Sequence, residues 1–169
     1  MVLDLTLVQN QINHWITNFV EIPHAALGNF PPCPYARSAR LANTVDVRLG
    51  STVPADLANL AEHGLAHWEV IVWAYDPDHF DALQLSAWVE QANRDVLNQQ
   101  DIIVLEDHPS DPEVVNGVTM NQGTYALLLA QSLSDLDRRA KILAARGFYH
   151  NWPESYLQGL FRHRRDPRT

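Results

Sequence analysis

The sequence has a single cysteine, so no intramolecular disulfide can staple the fold. It has no apolar run approaching the roughly 18 residues that a membrane-crossing helix needs, which argues against a membrane partner. Basic residues are scarce: twelve Lys and Arg face twenty Asp and Glu, a formal net charge of -8. A phosphate backbone would meet a repulsive field, so nucleic acid is not an expected partner either. Internal repeats, low-complexity tracts and linkers are also missing. The first residues carry Asp4 and lack the basic segment and continuous apolar core of a signal peptide. The setting expected from these absences is cytoplasmic and reducing.

What is present fits one globular domain over residues 1–169, with 46% hydrophobic residues to build a core. Arg162, His163, Arg164, Arg165 and Arg168 form a basic run, expected as a frayed tail over 162–169.

Apolar residues at helical spacing (Leu5, Val8, Ile12, Trp15, Ile16, Phe19) predict a helix over Thr6 to Val20, with Thr6 and Gln9 as a capping box. A proline-rich loop follows to Pro34. Strands are predicted at 44–49, 69–75 and 101–106, and a fourth at 125–131, where Gly123 and the Ser132–Ser134 cap favour strand over helix. Helices are expected over 54–66, 81–98 and 134–146, with a short one from Pro153 to Phe161. The second of these is read as burying Leu83, Leu85, Trp88, Ala92 and Val96. Strands separated by helices predict an α/β or α+β sandwich of two to three layers. Its mixed sheet of about four strands carries packed helices, an N-terminal helix and a C-terminal helical segment. Thioredoxin-like and ferredoxin-like arrangements both remain open.

The foremost chemical candidate is Cys33, in Pro31-Pro32-Cys33-Pro34-Tyr35-Ala36-Arg37. If Pro34 opens a short helix, Cys33 is its N-cap, where free N–H groups favour a thiolate. Arg37 and Arg40 would add positive charge, and Tyr35 would stand beside them. With no second cysteine, only monothiol chemistry is open. Two strand ends supply acid–histidine pairs, Asp76 with His79 and Asp107 with His108. Emerging from parallel neighbouring strands, they would share the carboxyl edge where open α/β sheets bind ligands. His63 and His67, read as four apart on one helix, are a minimal start for a metal site. The segment Gly147 to Trp152 is aromatic-rich and non-periodic.

Trp15, Cys33-Pro34-Tyr35-Ala36-Arg37, Arg40-Leu41 and the strand at Val45 together resemble a bacterial family of no established activity. That family carries an N-x-C-P-F-A-[KR] segment after an N-terminal helix. The later order of helix, apolar strand, helix, strand and His108-Pro109 is similar to its layout as well. Phe30, Pro31 and Pro32 depart from the family's run before the cysteine, and its Asn-Arg-Ser-Pro-Tyr-Pro stretch has no counterpart between Gly117 and Arg146. The resemblance implies that Cys33 and His108 are positions of interest and implies no reaction.

Three functions are therefore expected in turn. The first is a small-molecule enzyme with Cys33 as nucleophile and a histidine/aspartate base. The second is a non-catalytic binding or accessory-subunit protein whose interface uses exposed aromatics of 147–152 and the basic tail, toward a protein partner or a homo-oligomer; a small-molecule ligand is expected of the enzyme reading. The third is a histidine-ligated metalloprotein. No cofactor is named by any motif.

Overall fold

A computed structural model describes all residues 1–169. The sheet has four strands, β1 (Val45–Leu49), β2 (Val70–Tyr75), β3 (Ile102–Asp107) and β6 (Ala126–Ser132), in the order β1-β2-β6-β3. A two-stranded hairpin, β4 (Val114–Val115) with β5 (Val118–Thr119), lies in the segment between β3 and β6. β1 and β2 are parallel, and β6 runs antiparallel to both of its neighbours, β2 and β3. The sheet is thus mixed, as expected, and β2 and β3 point the same way. They are not neighbours, because the last strand is inserted between them.

Helix α1 (Leu5–Trp15) covers one face. Asp4, rather than Thr6, caps it by accepting from the Leu7 N–H at 2.8 Å. Its buried stripe, Val8, Ile12, Ile16 and Val20, recurs every four residues. A 3.6-residue helix would rotate such a stripe away from the sheet, and the chain corrects the drift with a π turn over Ile16–Val20. Helices α3 (Val53–His63) and α4 (Ala82–Asp95) cover the other face. Alternation along β2 serves both layers: Val72 and Ala74 meet α1, while Ile71, Trp73 and Tyr75 meet α3 and α4.

Several boundaries differ from the sequence reading. α3 ends at His63 because Gly64 takes φ +66, and Ala66 is also left-handed. α4 starts one residue after Asp81, which forms a capping box with Gln84. Leu83, expected in the core, points to solvent, and Val89 takes its place beside Leu85.

A third apolar cluster forms under the C-terminal segment. It joins α5 (Leu133–Ala145) to the turn Phe148–Asn151 and α6 (Glu154–Leu160) through Leu143, Phe148, Tyr149, Trp152, Leu157 and Phe161. Gly147, at φ +81, lets the chain reverse after α5. Phe148, Tyr149 and Trp152 are therefore buried, stacked edge-on or tilted on one another, and do not form an exposed interface. The basic tail is laid back on this cluster: Arg164 pairs with Asp137 at 2.7 Å, His163 reaches Glu90 at 3.0 Å, and Arg168 holds Glu154 at 2.7 Å.

Both outer strands of the sheet have side-chain amides on their free edges. Gln9 of α1 donates to the Val47 carbonyl at 3.2 Å. Asn93 of α4 does more. Its Nδ2 donates to the Val104 carbonyl at 2.8 Å, and its Oδ1 accepts the Val104 N–H at 2.9 Å. One side chain thus stands in for a neighbouring strand.

Candidate functional site

Cys33 lies in a turn before α2 (Ala36–Leu41), not at its N-cap, which is Tyr35. Its carbonyl accepts the Ala36 N–H at 3.2 Å, and its own N–H is donated to Val20. The residue reaches the surface, yet the thiol itself is closely surrounded by protein. Burial pushes the thiol pKa up, and the Tyr35 and Ala36 amides with the Arg139 charge offset only part of that rise. The other residues of this corner are committed to one another. Arg40 makes a two-pronged contact with Glu21 at 2.9 and 2.7 Å, and Arg139 lies 4.8 Å over the Tyr35 ring while bonding Glu69 at 2.8 Å. Arg37 remains exposed.

This corner is tied through Glu69 to the start of β2. His79 and His108 follow the far ends of β2 and β3. Five strand steps, roughly 17 Å, separate the two ends of β2. The structure therefore does not bring Cys33 together with either histidine, and no imidazole stands ready to take its proton. We expect iodoacetamide to alkylate Cys33 near neutral pH several-fold more slowly in the folded protein than in denaturant, since the crowding that pushes the thiol pKa up leaves little thiolate. Equal or faster folded-state labelling, followed by mass spectrometry, would contradict this.

The carboxyl edge does gather Asp76, Asp107 and His108, but each is bonded to neighbouring protein groups. His108 is 6% exposed. Its Nδ1 accepts the Ser110 N–H at 3.1 Å, so Nε2 carries the proton, which faces the Phe80 carbonyl at 3.0 Å and that of Pro77 at 3.3 Å. Neither nitrogen is free for a substrate, and the ring acts as a brace between two loops. Asp107 accepts from Asn121 at 2.6 Å and from the Gln122 N–H at 2.8 Å, ordering the return to β6. Asp76 is buried, accepts the Asp78 N–H at 3.0 Å and pairs with the Met1 ammonium, with His79 Nε2 at 3.8 Å. The Met1 contact holds its carboxyl below the usual range.

Burial pushes three carboxyls here upward: Glu106, Asp107 and Glu113. Each binds its proton more tightly when folded, so its charge opposes folding near neutrality. That penalty disappears as pH falls through the raised folded values, and is gone below the ordinary carboxylate range of about 4. Asp76, Glu69 and Asp135 are shifted the other way, by Met1, Arg139 and Arg138 respectively, and lose their contribution only below that range. The melting temperature is thus expected to rise as pH falls from neutrality toward the ordinary carboxylate range, and to fall in stronger acid. Glu106→Gln and Glu113→Gln should flatten the rise. A wild-type melting temperature that falls over this interval would contradict the assignment.

His63 and His67 do not share a helix face, because Gly64 ends α3 between them. His63 Nδ1 lies 3.0 Å from the Asn59 carbonyl, and the His67 ring lies against Trp68. Nowhere does the fold gather three or more His, Cys, Asp or Glu side chains in a group that could hold a metal ion.

Two clefts remain. One, of about 490 Å³, runs along the free edge of β3 between α4 and residues 159–164, with Asn93 on its wall. The other, of about 500 Å³, is formed by α5, the 149–154 segment and the tail. Tyr149, Trp152 and Leu157 supply apolar surface, and Lys141, Glu154 and Arg168 supply charge. The Trp152 indole N–H is buried without an acceptor, an uncommon and costly state for such a donor. The aromatic run 147–152 was the sequence signal for this cleft. Lys141, Ala144 and Ala145 carried none, because they join it only when α5 folds against the tail.

No protein-family model, curated protein or solved structure matches this chain.

Proposed function

We propose that this protein is a non-catalytic small-ligand-binding domain whose site is the cleft between α5, the 149–154 segment and the C-terminal tail. The observation that carries the reading is the Trp152 indole N–H, a buried donor with no acceptor, in a residue lining a cleft of about 500 Å³. Pockets of this size, largely apolar with a few polar groups, are where small molecules bind. Rings hold one another under the cleft: Tyr149 meets Trp152 edge-on with ring centres 6.0 Å apart, and Tyr156 lies tilted against Trp152 at 5.5 Å. A planar ligand group can lie on such a floor without ordering it further. Supporting this reading over the cysteine-based enzyme is the placement of Cys33 away from both histidines, with His108 bonded through both of its ring nitrogens.

The test is a screen of small planar compounds followed through the Trp152 indole N–H resonance. Binders should shift that signal, and Ala144→Trp, which fills the cleft from α5, should abolish their binding while the amide spectrum elsewhere stays native. No compound shifting the signal, or binding undiminished in the filled variant, would overturn the reading.

A further inference from the structure

We infer that the ligand of this cleft is an aromatic carboxylate, with Lys141 as its counter-charge; the inference rests on the binding reading above. Among the charged residues lining the cleft, Glu154 is used up, its two oxygens facing the two terminal nitrogens of Arg168 at 2.7 and 3.1 Å. Arg168 is in turn also bound to Asp166 at 2.6 Å. Lys141 is different. It is the only lysine in the sequence, it is exposed, and it makes no ion pair, whereas the arginines around it do.

The one uncommitted charge in the cleft is therefore positive. A cationic ligand would meet Lys141 with no free carboxylate to receive it, and a neutral ligand would leave the ammonium unused. A carboxylate gives the Lys141 ammonium a partner, while the attached ring covers the apolar surface that Tyr149, Trp152 and Leu157 supply. A single point charge beside apolar Tyr149, Trp152 and Leu157 suits a monoanion on a ring. It does not suit a polyphosphate, which calls for several donors.

The probes are matched pairs: indole-3-acetate against indole-3-acetamide, and benzoate against benzamide, titrated by NMR at moderate salt. Each acid is expected to bind about fivefold tighter than its amide, the scale of one partly exposed charge contact. Lys141→Gln, at an exposed site, should remove that preference while leaving the amides' affinity unchanged. Acid binding should also protect Lys141 from acetylation, read without ambiguity because no second lysine exists. Equal binding of acid and amide, or a preference that survives Lys141→Gln, overturns the carboxylate inference and leaves the binding reading standing. If neither acids nor amides shift the Trp152 signal, both fall together.

Discussion

Asn93→Ala should destabilise the protein by about 2–4 kcal/mol, far beyond what an exposed helix position normally costs. The substitution removes no large apolar surface. It strips the Val104 N–H and carbonyl of their only partners at the free edge of β3, at a residue 1% exposed. A buried backbone group left unpaired costs about 1–3 kcal/mol, and here there are two. Asn93→Asp should recover little, because it keeps the acceptor but sets a carboxylate oxygen against the Val104 carbonyl. Urea denaturation with an unchanged m-value gives the measurement, and Asn59→Ala on the exposed face of α3 is the control, expected within about 0.5 kcal/mol. A loss below about 1 kcal/mol for Asn93→Ala would mean that water from the adjacent cleft replaces the amide.

Gly50→Ala is the second large effect, at roughly 3 kcal/mol, the upper end of overpacking costs. Gly50 directly follows β1, and its N–H is donated to Ala74 at 2.9 Å, which fixes the backbone against β2. A methyl group there would overlap the Tyr75 ring. The ring has nowhere to go. Its hydroxyl donates to Asp56 at 2.9 Å, its edge packs on Phe80 with centres 5.8 Å apart, and the residue is 4% exposed. Gly159→Ala supplies the contrast. It sits in α6 with open space around the added carbon, and should stabilise by about 0.5–1 kcal/mol. Similar stability for both alanine variants would show that the Tyr75 corner yields more readily than its contacts imply.

The elements legible in the sequence were those whose pattern is local. The two-faced run Glu69 to Tyr75 reads as a buried central strand, and Tyr125 to Gln131 reads as a strand between Gly123 and a serine cap; both stand within one residue of their observed bounds. What did not show was anything set by a partner far along the chain. The His63–His67 pair looked like one helix face because nothing in four residues announces that Gly64 and Ala66 will turn left-handed. The expected neighbourhood of β2 and β3 failed since strand order is a tertiary choice, and β6 won the central place with seven mostly buried residues. At the candidate site the residue types were visible but their commitments were not. Asp107 and His108 resemble an acid–base pair until Asn121 and Gln122 donate to the two Asp107 oxygens, and Ser110 and Phe80 take up the two His108 nitrogens. Likewise the aromatic cluster of 147–152 stood out, while its charged companion Lys141 was one residue in an ordinary amphipathic helix.

The insertion of β6 between β2 and β3 also bears on how the chain is made. During synthesis β1, β2 and β3 emerge first, yet the first and last of these cannot be joined into one sheet until Ser132 has left the ribosome. Until then β2 and β3 each offer an apolar flank with open hydrogen-bonding positions to any other nascent chain. The pairing that closes the gap links residues 70–75 to 126–131, a separation that makes its entropy of closure large and its formation late. The central strand is the keystone of the vault, set last, and the vulnerable interval for this protein lies before it is placed.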